Sequence, residues 1–125
     1  MNALFPHQAT TGDVTVRVSV SFLPEQSDLP RGRWFWAYHI RIENEGTQAV
    51  QLLTRHWLIT DGRGGRHDVR GEGVVGEQPV IEPGQSYDYV SGCPLQTPTG
   101  SMEGSYHMVA EDGSTFEAAI PRFPL

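Results

Sequence analysis

The sequence has a single cysteine, Cys93, no lysine among its nine basic residues, and no apolar run longer than a few residues. One cysteine forbids an internal disulfide and fits a reducing compartment. The short apolar runs fall far below the length of a membrane span, so no membrane partner is expected. The stretch MNALFPHQATTGD has neither a basic start nor an apolar core long enough for export, which predicts a cytoplasmic protein. With 15 acidic residues against 9 arginines, the formal charge is −6. Affinity for nucleic acid comes largely from cations that displace counterions, so no nucleic-acid partner is expected either. The arginines are scattered, apart from a loose group at Arg55, Arg63, Arg66 and Arg70 that leaves room for a local anion site.

What is present is alternation. A chain of 125 residues fits one domain, residues 1–125, that buries roughly two thirds of its unfolded surface. Val14, Val16, Val18, Val20 and Phe22 alternate with polar residues, which predicts a strand over residues 11–22 with one wet face, after an N-terminal segment at 1–12. Trp34, Trp36, Tyr38, Ile40 and Ile42 likewise share one face, and this aromatic strand is the expected centre of the core. AVQLLTRHWLIT, at 49–60, is long enough to hold a bulge or to cross between sheets, and DGRGG closes it with a glycine-rich turn.

Shorter strands follow at RHDVRG, QPVIEP, SYDYVSG, SYHMVAEDG and TFEAAIPRF, with a tail at 121–125. No dozen residues show a clean helical period free of Gly and Pro. Fourteen glycines and nine prolines between short strands predict an all-β fold, an immunoglobulin or fibronectin type III-like antiparallel β-sandwich of seven to eight strands. Val16, Val18, Trp36, Ile40, Tyr89 and Tyr106 are expected to be buried. One hydroxyl of Tyr87 or Tyr89 is expected to bond nearby backbone, as in a tyrosine corner.

Gly71-Glu72-Gly73-Val74-Val75-Gly76 matches the G-x-G-x-x-G fingerprint of dinucleotide-binding folds. That fingerprint works by turning a strand into a helix whose first amides face a pyrophosphate. Pro79 and Pro83 would break such a helix, so the context excludes it. Two readings stand. The glycine amides form a nest for a small anion, pyrophosphate or a nucleotide, helped by Arg66 and Arg70. Alternatively, the glycines only let a surface connection turn tightly, with Glu72 and Glu77 facing water.

LLTRHWLITDG, VRGEGVVGEQPVIEPGQSYDYVSGCPLQTPTGSMEGSY and the closing FEAAIPRF resemble the ApaG (CorD) family, over nearly the whole chain from about Val14 onward. The resemblance implies the same sandwich fold. It also implies a bacterial protein linked to cobalt resistance and magnesium efflux, with no established enzymatic activity. Related eukaryotic domains, in F-box proteins and a DNA polymerase-interacting protein, resemble protein-interaction modules. The family's glycine motif falls on Gly71, Gly73 and Gly76.

No histidine pair has ligand spacing, and the weak metal candidates are His56, His67 and Asp68, converging with Glu72 if the Gly62–Gly65 turn folds back. Cys93 would need a histidine beside it to act as a nucleophile, and otherwise reads as a small buried residue. Trp57, on a mixed face beside Arg55 and His56, is either a partner-binding anchor or core. The reading is a non-enzymatic interaction module without a cofactor, whose partner is another protein, with a small anion as the alternative ligand.

Overall fold

The structure is a computed structural model that describes residues 5–125; the first four residues of the N-terminal segment and of its export reading lie outside the described residues. Among the described residues nine strands form two antiparallel sheets: β1 His7–Thr11, β2 Val14–Phe22, β3 Trp34–Asn44, β4 Val50–Asp61, β5 Arg66–Glu72, β6 Val80–Ile81, β7 Ser86–Leu95, β8 Gly100–Ala110 and β9 Thr115–Pro124. One sheet runs β1-β2-β3-β7 and the other β5-β4-β8-β9, with β6 pairing onto β4. The helical content among the described residues is two short 3-10 turns, Pro24–Gln26 and Leu29–Arg31.

The count among the described residues exceeds seven to eight because the N-terminal segment is recruited as a strand. His7–Thr11 folds back on β2 through a tight turn at Gly12, where φ is +56°, so residues 7–22 form a hairpin and the predicted strand over 11–22 begins only at Val14. At the other end β9 runs through the predicted tail to Pro124, and Phe123 and Leu125 are buried. The register of β8 against β9 shifts between Met102 and Gly104. Buried positions on β9 accordingly pass from Ala118 and Ile120 to Phe123 across Pro121. Proline lacks a ladder donor, which suits it to such an irregularity.

The two inner faces close on one core. Val16, Val18, Ile40, Tyr89 and Tyr106 are all buried, as their alternation requires. Trp36 is only half-buried; its ring packs on Phe22 at a centroid distance of 5.0 Å, and its indole nitrogen has no partner among the described residues. The tyrosine-corner expectation fails. The Tyr89 hydroxyl pairs with the Tyr106 hydroxyl in the core, and the Tyr87 hydroxyl donates to a Glu77 carboxylate oxygen at 2.8 Å.

The sandwich is closed on one side and open on the other. β1 lies against β9, where the Ala119 amide donates to Thr11 Oγ1 at 3.0 Å. On the opposite side β5 and β7 are the terminal strands of their sheets, and a cleft of about 770 Å³ separates them.

Candidate functional site

The site starts from a one-residue irregularity in β4. Register against β8 shifts between Leu52 and Thr54, so Leu53 bulges out of the ladder. Side chains on a strand alternate strictly, and one extra residue moves every later one to the other face. Val50 and Leu52 face the core before the bulge; Arg55, Trp57, Ile59 and Asp61 face inward after it. Trp57 is therefore core, 3% exposed, with ring centroids of Tyr38, Phe123 and Tyr106 at 5.3, 6.0 and 6.5 Å. The reading of Trp57 as a surface anchor is corrected by that phase change.

Arg55 turns inward with it and meets the glycine loop. Its guanidinium donates to the carbonyls of Glu72 at 3.0 Å and Gly73 at 2.8 Å. Gly71 makes room for this, because a β-carbon there would sit 2.7 Å from a guanidinium nitrogen. The bulge also holds the loop, since the Leu53 carbonyl accepts the Gly73 amide at 2.9 Å. Val74 and Glu77 exchange both backbone hydrogen bonds, at 2.8 and 2.9 Å, around Val75 and Gly76 with φ of +43° and +82°. That is a two-residue hairpin turn of the type in which both central residues have positive φ. Val74 plugs into the core at 1% exposure, and Val75 stands out at 57%.

The turn accounts for the glycines without a ligand. Of its amides, Gly73, Val74 and Glu77 already serve backbone carbonyls, and Glu77 also holds Tyr87. Arg66 does not flank the loop, because it pairs with Thr60 at the far end of β5, while Arg70 pairs with His56. The cation that touches the loop is Arg55, and it is spent on carbonyls. Val75 in this conformation is strained, since a β-branched residue at positive φ is an outlier. Val75→Asn creates the Asn-Gly pair this turn favours and should stabilise the fold by about 1 kcal/mol, raising Tm by about 3–5 °C in a thermal melt. An unchanged or lowered Tm would show that the tip holds Val75 for another reason.

The weak metal candidates lie apart. His56 Nε2 donates to Asp68 Oδ1 at 2.7 Å on the outer face of the β4–β5 pair, and this bond holds the Asp68 carboxyl below its usual pKa. His67 faces the cleft on the inner side, with Nε2 4.0 Å from Asp61 Oδ2. The Asp61 carboxyl is held low mainly by the backbone amides of Gly65 and Arg63. Among the described residues no three His, Cys, Asp or Glu side chains gather as a cation site. Alternation again explains this, because His56 and His67 point to opposite faces of paired strands.

Arg33, Tyr38, Arg55, Trp57, Ile59, Val69, Leu95 and Met102 are among the residues that line the cleft, with Cys93 beneath. Burial pushes the Cys93 thiol up to about 11, so it is protonated at neutral pH. Neither Arg33 nor Arg55 has a carboxylate within ion-pair distance among the described residues. The sequence offered a faint signal of this seam: RHDVRG is the one predicted strand with almost no apolar face, and all of Arg66 to Arg70 is exposed. Arg33 and Tyr38 were not legible as sharing a cleft with Val69, since Tyr38 lies on β3 of the opposite sheet and Arg33 just before it.

No helix among the described residues is long and apolar enough to cross a membrane. The family model of the ApaG domain matches residues 24–110. The chain is 56% identical over 119 residues to Protein ApaG of Afipia carboxidovorans, covering 95% of this chain and 92% of that one. It is 54% identical over 113 residues to Protein ApaG of Nitrosospira multiformis, covering 90% and 89%. The crystal structure of the putative ApaA protein from Bordetella pertussis superposes with a TM-score of 0.88 at 49% identity, covering 90% of this chain and 92% of that one. Sequence and fold agree along almost the full length of both, and the chain belongs to the ApaG family.

Proposed function

We propose that the chain is a non-enzymatic interaction module and that it meets a partner protein at the open seam between β5 and β7. The observation that carries this reading is the pairing of an uncovered edge strand with a cleft of about 770 Å³ whose floor is aromatic and apolar. An unpaired strand edge is a template for another chain, and recognition needs an apolar pocket next to it. The protonated Cys93 thiol gives no support to nucleophilic chemistry. A loop whose Gly73, Val74 and Glu77 amides already donate to backbone carbonyls offers little to pyrophosphate or a nucleotide. The link to cobalt resistance and magnesium efflux then runs through the recruited partner, and the site of action is the cytoplasm.

The test uses two exposed valines. Val69, 39% exposed, borders the cleft, whereas Val90, 61% exposed, sits on β7 at an alternate position to the inward Tyr89. Proteins co-purified with the chain are identified, and each is made separately and titrated against the variants. Val69→Asp should weaken binding of the true partner by about tenfold or more, from loss of an apolar contact at the pocket's rim, while Val90→Asp leaves it unchanged. Equal loss in both variants, or in neither, would sink the seam as the binding surface.

A further inference from the structure

The seam carries information about its partner's chemistry, and this inference rests on the interaction reading above. Five of the nine arginines, Arg33, Arg55, Arg63, Arg66 and Arg70, cluster around it, and none makes an ion pair among the described residues. Arg33 and Arg55 line the cleft, Arg63 stands in the β4–β5 turn, and Arg66 and Arg70 share the outer face of β5. The nearby carboxylates are mostly engaged: Asp61 accepts from the amides of Arg63 and Gly65 at 2.8 and 2.9 Å, and Asp68 from His56. A chain with a net charge of −6 thus has the arginines that make no ion pair among the described residues gathered on one edge, with Arg55 also held by the Glu72 and Gly73 carbonyls.

The two free edges are not equivalent. β7 contains Pro94, which has no amide to donate and blunts strand addition. β5 has no proline, and its residues from Arg66 to Arg70 are all exposed. A strand added beside β5 keeps the two-residue period of the sheet. Its inward side chains would extend over the cleft beside His67 and Val69, and its outward ones would lie beside Arg66 and Arg70. We propose that the ligand of this module is an extended protein segment that alternates apolar and acidic residues and adds to the sheet along β5.

The experiment uses a capped synthetic peptide of alternating valine and glutamate, as long as β5, with the intact protein. The peptide should shift the amide resonances of Arg66 to Glu72 and slow their hydrogen exchange. A peptide of alternating valine and lysine should bind at least about tenfold more weakly, and added salt should weaken the acidic one. Arg66→Glu combined with Arg70→Glu should reverse the order of the two peptides. The proposal is overturned by equal affinity for both peptides, by shifts centred on β7 or the glycine turn, or by charge reversal that alters only solubility, as expected if the arginines merely guard an edge strand. Concentration-dependent dimerisation that protects β5 and excludes the peptide would assign the edge to a second copy instead. If Val69→Asp abolishes binding of a genuine partner while the acidic peptide fails to bind, the peptide chemistry is wrong and the interaction reading stands. If Val69→Asp leaves every genuine partner bound, the interaction surface itself is misplaced.

Discussion

Trp57→Ala should lower the stability of the fold by about 3–5 kcal/mol, read as an earlier urea midpoint at unchanged slope and as a Tm lower by about 10–15 °C. The indole is 3% exposed and touches an aromatic group drawn from both sheets: Tyr38 from β3, Tyr106 from β8 and Phe123 from β9. Truncation removes the transfer energy of the whole ring and leaves a hole that three large, rotamer-locked neighbours cannot fill by collapse. The hole would also join the cleft that Trp57 floors, so the inter-sheet contact near the open seam is lost with it. Exposed anchors behave differently, because truncating them changes stability by only about half a kcal/mol. A variant that unfolds at the wild-type urea concentration would mean that the β4 bulge does not turn this side chain inward.

Gly73→Ala should cost about 2–3 kcal/mol, more than an alanine at any other positive-φ position of the same turn. Gly73 has φ of +63°, and a β-carbon there would run into the backbone carbonyl of Glu77 across the hairpin. That carbonyl is fixed by the Val74 amide, while the Gly73 amide is fixed by Leu53, so neither side yields without breaking a backbone hydrogen bond. Gly76 is the internal control. Its φ is +82° and no atom of the described residues beyond its chain neighbours lies within 4 Å of the point a β-carbon would occupy, so Gly76→Ala carries the conformational cost alone, about 1 kcal/mol. The difference between the two midpoints in urea isolates the steric part. Equal losses would mean that the turn opens on substitution and that Arg55 and the Leu53 bulge do not hold it in place.

Much of the fold was written in the local pattern. Val14 to Phe22 and Trp34 to Ile42 alternate without interruption, and both became strands with the expected inner faces. Period two is a property of the extended backbone itself, so it survives whatever the strand packs against. The glycine run was legible as far as its exclusion: the prolines that follow it forbid a helix, and a β-turn stands there. Family resemblance was carried by the same stretch.

Trp57 shows where local reading stops. Its face depended on whether Leu53 stays in the ladder, which is decided by how β8 pairs with β4, some fifty residues later in the chain. A bulge changes no residue type, so the sequence shows only a pattern with mixed phase. Arg55 and Gly71 meet for the same reason: the β4–β5 register sets them opposite each other, and neither residue alone carries that register.

The sequence by itself determined the class of the fold, the places where the chain turns and the faces of the uninterrupted strands, because these follow from backbone torsions and side-chain alternation within a few residues. Tertiary structure alone decided which edge strands stay uncovered, where the cleft opens and which arginines are left without a carboxylate. Those features arise from pairing between distant segments and from the packing of one sheet on the other. Their energy is a sum over contacts that no short stretch contains.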